Sequence, residues 1–208
     1  MTDRGIIFSG PMICALVDGR KTQTRRLASS PLAQSEPGDR LWVRETFRAA
    51  ENDDGWDFYQ CRADGRRIDL DQTPEAGEQW GQIASYGTKA GQDRKNLSTQ
   101  SNELDFDLPF AGPWVPSIHM PRWASRLTLT VTDVRLMPLQ SISREDARAE
   151  GHWMVPKIST DPDVHLDAAR DWFMDLWDSL HDKPGERWAD NPDLVALTFT
   201  VEERNIDR

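Results

Sequence analysis

The chain has 208 residues, a length that suits one large domain or a small domain with a long insertion. Lys and Arg number 25 against 35 Asp and Glu, a formal net charge of -10, which excludes a protein that coats nucleic acid along an extended basic face. The two cysteines, Cys14 and Cys61, show no metal-ligand spacing and no disulfide framework, which fits a reducing cytoplasm. No stretch has the apolar length of a signal peptide or a membrane span. We therefore expect a cytoplasmic protein with no membrane partner.

The first fifty residues predict a strand, a helix and a second strand. Ser9 can cap the helix, Pro11 suits its first turn, and Gly19 suits the left-handed position after its end. A Pro-Gly-Asp turn then precedes a strand centred on Trp42 and Val43. The apolar residues at helical spacing, which predict the buried face of the helix, are Met12, Ile13, Leu16 and Val17.

The character of the chain changes between residues 50 and 121, which are mostly polar, rich in glycine and poor in aliphatic side chains. The segment "WDFYQCRADGRRI" predicts a hairpin with Asp64 and Gly65 at its turn. We interpret the remainder as a long irregular insertion in a solvated loop, within a single domain that spans residues 1–208.

Regular patterns return after the insertion. Leu127, Leu129 and Val131 alternate with threonines, which is typical of a half-buried strand. Ser143 with Asp146 three residues later forms a capping-box pattern, and the helix that it starts is expected to stop at Gly151.

The C-terminal part predicts an amphipathic helix and a closing strand. The segment "DLVALTFTVEE" is expected to be an alternating strand. Strands thus dominate the framework and helices cover it, so we expect an α+β fold built on a small barrel-like sheet. The predicted inner face of the helix is Trp172, Phe173, Leu176, Trp177 and Leu180.

The stretch "DGRKTQTRR" concentrates positive charge directly after the first helix. Helix-end carbonyls attract cations, so a simple helix cap with solvated charges is one interpretation. The other interpretation is a catalytic role, because Lys21 and Thr24 can share a face if the chain forms a helical turn or a bent loop.

A threonine hydroxyl becomes nucleophilic when a neighbouring base takes its proton. Lys21 can be that base for Thr24 if burial and the nearby Arg20, Arg25 and Arg26 lower its pKa. An approaching carboxylate would raise that pKa again. Such an acid must therefore orient groups, shuttle protons or be protonated itself.

Three motifs resemble the ASCH family: "DGRKTQTRR", "PGDRLWVRE" and "ISREDARAEG". The resemblance implies a PUA-like fold, a small β-barrel flanked by helices, here with the insertion at 50–121. The layout is similar to the N(4)-acetylcytidine amidohydrolases of that superfamily, and the length to long members encoded by phages and prophages. By motif, the implied catalytic residues are Lys21, Thr24 and Glu150, and Glu145 and Asp146 stay alternatives for the acid.

The implied reaction is the removal of an acyl group from a modified nucleoside. Thr24 attacks the carbonyl, Lys21 accepts its proton, and Glu150 assists the proton movements, with neither a metal nor another cofactor. His152, His165 and His181 lack ligand spacing, which also argues against a metal site. The residues that we expect to bind the substrate are Arg20, Arg26, Arg44, Glu45, His119 and Trp123.

Purely structural interpretations of these predicted binding residues stay open. Arg44 and Glu45 form either a structural ion pair or a contact with a base edge. His119, between two prolines, and Trp123 are either structural or part of a pocket wall.

Two other functions stay open. One is a non-catalytic module that binds a modified base or RNA through Lys21, Arg25, Arg26 and Trp123. The other is a metal-independent ribonuclease. The expected partner is thus a small nucleoside, with RNA as the alternative, and the sequence does not indicate an oligomeric state.

Overall fold

The computed structural model of the chain describes residues 1–51, 54, 57–69, 110–152 and 162–208, and the centre of the predicted insertion lies outside them. The strands are β1 Asp3–Ile7, β2 Gln23–Leu27, β3 Arg40–Arg44, β4 Phe47–Glu51, β5 Asp57–Cys61, β6 Arg67–Asp69, β7 Phe110–Ala111, β8 Thr128–Pro138 and β9 Asp193–Glu202. The helices are α1 Gly10–Val17, α2 Arg144–Ala149 and α3 Pro162–Leu180. Short 3-10 turns cover Pro31–Gln34, Ser117–His119, Arg122–Ala124, Leu139–Ser141 and Trp188–Asp190.

Five strands form a mixed sheet in the order β1-β3-β8-β9-β2. β9 is antiparallel to both β8 and β2. Backbone hydrogen bonds from Arg40 to Thr2 and from Phe8 to Arg44 run in the same direction along β1 and β3, so that pair is parallel. The fold is therefore mixed α+β with few helices, as the sequence predicts, while closure of the sheet into a barrel stays a prediction.

The chain folds into two compact units. The first contains residues 1–4, 14–41 and 128–203. In it, helices α2 and α3 share an apolar core cluster with the end of the sheet, and its buried members are Leu139, Ile142, Ala147, Ala169, Phe173, Trp177 and Leu194.

The second unit contains residues 5–13, 42–127 and 204–208. Its four-stranded sheet has the order β6-β5-β4-β7, and the predicted hairpin is confirmed: Tyr59 pairs with Ile68, and Gly65 has a φ of 72°. The interpretation of 50–121 as an insertion in a single domain stays a prediction. The buried residues in the core of the second unit are Phe47, Ala49, Tyr59, Val115, Met120 and Ala124.

The glycine predicted after α1 and the cap predicted for α2 are confirmed. Gly19 takes the left-handed conformation with a φ of 69°, two residues after α1 ends. The Ser143 side chain accepts a hydrogen bond from the backbone N–H of Asp146 and so caps α2. Gly151 follows that helix with a φ of 106°.

Two expectations from the sequence are wrong. Leu180 is 69% exposed, because it is the last residue of α3, and the buried stripe of that helix runs through Ala169, Phe173 and Trp177 instead. The closing strand β9 does not alternate: Leu194–Leu197 are all buried. β9 lies between two other strands, and a central strand covered on both faces buries both sets of side chains.

Within the residues that the structure describes, no helix combines the length and the apolar character that crossing a membrane requires.

Candidate functional site

Lys21 lies at the start of the candidate site, in the short link between α1 and β2. Its backbone forms an isolated antiparallel bridge with Glu150, and the N–H of the next residue, Thr22, donates to the carbonyl of Ala149. The chain before β2 is thereby fixed to the C-terminal end of α2. Residues that are far apart in the sequence form one buried cluster here.

Lys21 and Glu150 form a buried ion pair. Lys21 is 2% exposed and Glu150 4%, and the Lys21 Nζ donates to the Glu150 Oε2 at 2.8 Å. Nζ also donates to the backbone carbonyls of Gln23 and Glu150, each at 2.8 Å. Three donated bonds account for three N–H groups, so this geometry suits the ammonium form of Lys21.

Burial lowers the pKa of the Lys21 amine, because the charged form loses its hydration. Glu150 raises that pKa, and the guanidinium groups of Arg26 and Arg25 lower it, so burial with like charge outweighs the carboxylate. A lysine with a lowered pKa gives up its proton more easily than an exposed one, which a general base requires.

Arg25 provides a second cation for Glu150. Its guanidinium donates to the Glu150 Oε1 and to the Asp146 Oδ2, each at 2.9 Å, while its side chain is fully buried. Gln23 donates to the other oxygen of Asp146 at 2.9 Å, and Phe173 packs against the guanidinium, 5.8 Å from its ring centre. Each oxygen of Glu150 therefore has a cation of its own.

Thr24 and Arg26 form a separate contact on the neighbouring positions of β2. Successive side chains of a strand point to opposite faces, so these two alternate with Gln23 and Arg25. The Arg26 guanidinium donates to the Thr24 Oγ1 at 2.8 Å, and Thr24 is 1% exposed. Burial lowers the pKa of Arg26. A hydroxyl that accepts a bond from a cation has its anionic form stabilised.

Arg20 lies at the edge of this cluster and stabilises the turn that follows α2. Its guanidinium donates to the carbonyl of Gly151 at 2.9 Å and pairs with Asp18 at 2.7 Å. Arg20 keeps a partly exposed side chain, the condition for a contact with a ligand.

The second unit holds the other predicted binding residues. Glu45 is 2% exposed and accepts two bonds from Arg126, from Nε at 2.7 Å and from NH2 at 3.0 Å. Arg126 also donates to Asp64 at the hairpin turn. Arg44 packs over the ring of Trp42, 4.4 Å from its centre. Glu45 is thus paired with Arg126 rather than with its neighbour Arg44.

His119 and Trp123 lie in consecutive 3-10 turns of that second unit. His119 is exposed at the end of its turn. Trp123 is half-buried and packs against Tyr59, with ring centres 5.1 Å apart. The structure therefore brings Lys21, Thr24 and Glu150 into the first unit, with Arg20 and Arg26. The remaining predicted residues lie in the second unit.

The sequence did not indicate three contacts of this site and its surroundings. The pairing of Arg25 with Glu150 joins residues 125 positions apart, and that of Arg126 with Glu45 joins residues 81 apart. The role of Gln23 beside Asp146 had no local signal either. In the part of the chain that the structure describes, no group of three His, Cys, Asp or Glu side chains is arranged to hold a metal ion.

Comparisons with known proteins give two structural likenesses and no match by sequence. No family model and no curated protein matches the chain. A crystal structure of a DUF984 protein from Enterococcus faecalis V583 is similar, with 12% identity and a TM-score of 0.42 over 99% of this chain and 83% of that chain. A crystal structure of an ASCH domain from Lactobacillus crispatus JV V101 gives 13% identity and a TM-score of 0.35 over 96% and 79%.

Proposed function

We propose that the protein is an amidohydrolase that removes an acyl group from the exocyclic amine of a modified nucleoside such as N(4)-acetylcytidine. The observation that carries this proposal is the buried Lys21–Glu150 pair, three residues along the chain from the buried Thr24. Lysine, threonine and carboxylate are the groups that acyl transfer through a threonine nucleophile requires. They are also the residues that the motif resemblance implies.

In this mechanism Lys21 first gives one of its protons to Glu150, whose Oε2 is 2.8 Å from Nζ. Because burial lowers the pKa of Lys21, the neutral amine costs less here than in water. The carboxyl group is then protonated, so it no longer raises that pKa. The pair can therefore hold a neutral base, which resolves the conflict between a basic lysine and an adjacent acid.

The neutral Lys21 amine takes the hydroxyl proton of Thr24 as Oγ1 bonds to the carbonyl carbon of the substrate. The bond between that carbon and the exocyclic nitrogen breaks, and the protonated Glu150 supplies the proton to the departing amine. Water then attacks the acyl group on Thr24 and gives a proton to Glu150. The acid returns it to Oγ1 as the carboxylic acid leaves.

Arg26 is the group that we assign to the oxygen charges of this reaction. It donates to the Thr24 Oγ1 at 2.8 Å, and a preorganised cation in a water-poor site stabilises developing negative charge strongly. The same guanidinium stabilises both the negative charge that develops on Thr24 Oγ1 and that of the tetrahedral oxyanion. Arg20, at the partly exposed edge of the cluster, is assigned to substrate contact.

The test is acetate release from N(4)-acetylcytidine and a panel of other N-acylated nucleosides. Thr24→Val keeps the shape of the side chain and removes the nucleophile, so we expect a loss on the order of 10³-fold or more, while Thr24→Ser retains part of the rate. Thr22→Val is the matched control, because Thr22 is exposed and carries the same substitution two residues away. Circular dichroism and thermal melting establish that each variant folds.

The outcomes separate the candidate functions. If the wild-type protein releases no acid from any member of the panel, the hydrolase proposal is wrong. Saturable binding of RNA with a steep salt dependence and no turnover would then favour the binding module. Cleavage of labelled RNA in the presence of a metal chelator would favour the ribonuclease. Equal activity of the wild type and Thr24→Val would reject Thr24 as the nucleophile.

A further inference from the structure

We propose that Arg25 is a positioning residue, which holds the Glu150 carboxylate by its second oxygen and so fixes how the carboxylate meets the Lys21 amine. This inference rests on the function proposed above. Arg25 acts on the acid and the base of the site rather than on the substrate.

The first support is the geometry of the carboxylate. The Lys21 Nζ donates to the Glu150 Oε2 at 2.8 Å, and the Arg25 guanidinium donates to the Oε1 at 2.9 Å. A carboxylate bound at both oxygens has one orientation, so the oxygen that exchanges a proton with Lys21 stays in line with Nζ. Without Arg25, the carboxylate can rotate about the last bond of Glu150 and turn its oxygens out of line with Nζ.

The second support is the way Arg25 itself is held. One nitrogen donates to Glu150 and to the side chain of Gln23, and the other donates to Asp146. Asp146 is fixed in turn, because it is in the capped first turn of α2 and also accepts from Arg135. The guanidinium is thus anchored to α2, the helix that ends at Glu150.

The third support is an unfulfilled hydrogen bond. The Arg25 side chain is fully buried, and its Nε has no hydrogen-bond partner among the described residues. Burying a guanidinium with one donor unused is unfavourable for stability. Because replacing buried charged pairs by apolar residues is often neutral or stabilising, stability alone does not explain a buried arginine here.

The charged groups around Lys21 determine the sign of the effect. These groups are Glu150 at the end of α2, and Arg26 and Arg25 of β2. Asp146 and Arg135 lie beyond Arg25, and Arg20 contacts Gly151 and Asp18 instead. Removing Arg25 removes a positive charge that lowers the pKa of Lys21 and leaves the Glu150 charge that raises it. Lys21 then holds its proton to a higher pH.

The experiment is an NMR titration of the lysine side-chain nitrogens in the full chain, without substrate. The signal of Lys21 is assigned by its loss in Lys21→Met. We expect Arg25→Met to raise the titration midpoint of Lys21 by about one pH unit or more, and Arg25→Lys, which keeps the charge, to leave it within about half a unit. The matched control is Arg135→Met, which removes the other arginine of Asp146 from an exposed position and should leave the midpoint unchanged.

Activity gives a second reading with the same sign. The mechanism keeps one proton within the Lys21–Glu150 pair, and its loss to solvent sets the basic side of the kcat/KM profile. That side should move to higher pH in Arg25→Met, with about a tenfold loss for each unit above the new midpoint. An unchanged Lys21 midpoint in a folded Arg25→Met overturns this inference, whatever the activity. A shifted midpoint in a protein without turnover supports the inference and rejects the proposed function.

Discussion

Replacing Glu150 by Gln gives the most direct test of how buried the site is. The amide keeps the size of the side chain and removes its charge, so Lys21 and Arg25, 2% exposed each, both lose their shared anion. Removing one partner of a buried ion pair costs about 3–5 kcal/mol. The whole free energy of unfolding of a domain is about 5–15 kcal/mol. We therefore expect a large loss of stability.

The assay is urea denaturation followed by circular dichroism, with Asp207→Asn as the control. Asp207 pairs with Arg122 on the surface, where 53% of its side chain is exposed, so its loss should cost less than about 1 kcal/mol. Lys21→Met should cost less than Glu150→Gln, because Glu150 keeps Arg25 as a partner. A cost for Glu150→Gln as small as that of Asp207→Asn would refute the reasoning that the pair is buried.

The pH dependence of Glu150→Gln provides an independent reading of the same cause. Without the carboxylate, which raises it, the pKa of Lys21 falls further below that of an unfolded lysine, about 10.4. Between those two pKa values the unfolded chain binds more protons than the folded one, so stability rises with pH in that window. The stability of the variant should therefore rise with pH over a wider range on the alkaline side than that of the wild type.

Two further predictions concern other positions of the first unit. The hydrogen bond from Arg4 lowers the pKa of Asp39. The stability that this carboxylate contributes is therefore present above its unfolded pKa of about 3.9 and is lost as pH falls through the lower folded value. Asp39→Asn should flatten the acid side of the stability profile in urea titrations. Gly151→Ala should destabilise by about 1–3 kcal/mol, because φ is 106° and the new Cβ would lie 3.0 Å from that of Ala15. Gly185→Ala, also at positive φ but with open space, should cost less, and equal thermal shifts would contradict the steric explanation.

The sequence predicts best those features that depend on neighbouring residues. The cap of α2 at Ser143 requires only a hydroxyl three residues before an N–H, and Gly151 after that helix requires only freedom at positive φ. The hairpin at Asp64 and Gly65 is of the same kind. Such signals are complete within a few residues, so the sequence alone is enough to find them.

Features that depend on the assembled sheet could not be found in this way. Whether β9 alternates depends on the layers that cover it, and Leu194–Leu197 are buried because β9 lies between β8 and β2. The partner of Glu45 is Arg126 because two distant segments meet, while Arg44, its neighbour in sequence, packs over the ring of Trp42. The motif resemblance identifies Lys21 and Glu150 as site residues, but only the folded structure shows that they are in contact.

The distribution of charge in the molecule favours a small substrate over a polymer. The chain has a net charge of -10, yet Lys21 and Arg25 both bind Glu150 in one buried cluster, and the half-buried Arg26 acts electrostatically on Lys21. An RNA strand needs cations at successive phosphates along an exposed face, whereas Lys21 and Arg25 are buried and paired with Glu150. Buried cations instead act over short distances on a single carbonyl group, where the low dielectric makes them most effective. An uncharged N-acyl nucleoside matches that arrangement, since it is not repelled by the acidic surface and presents one carbonyl to the site.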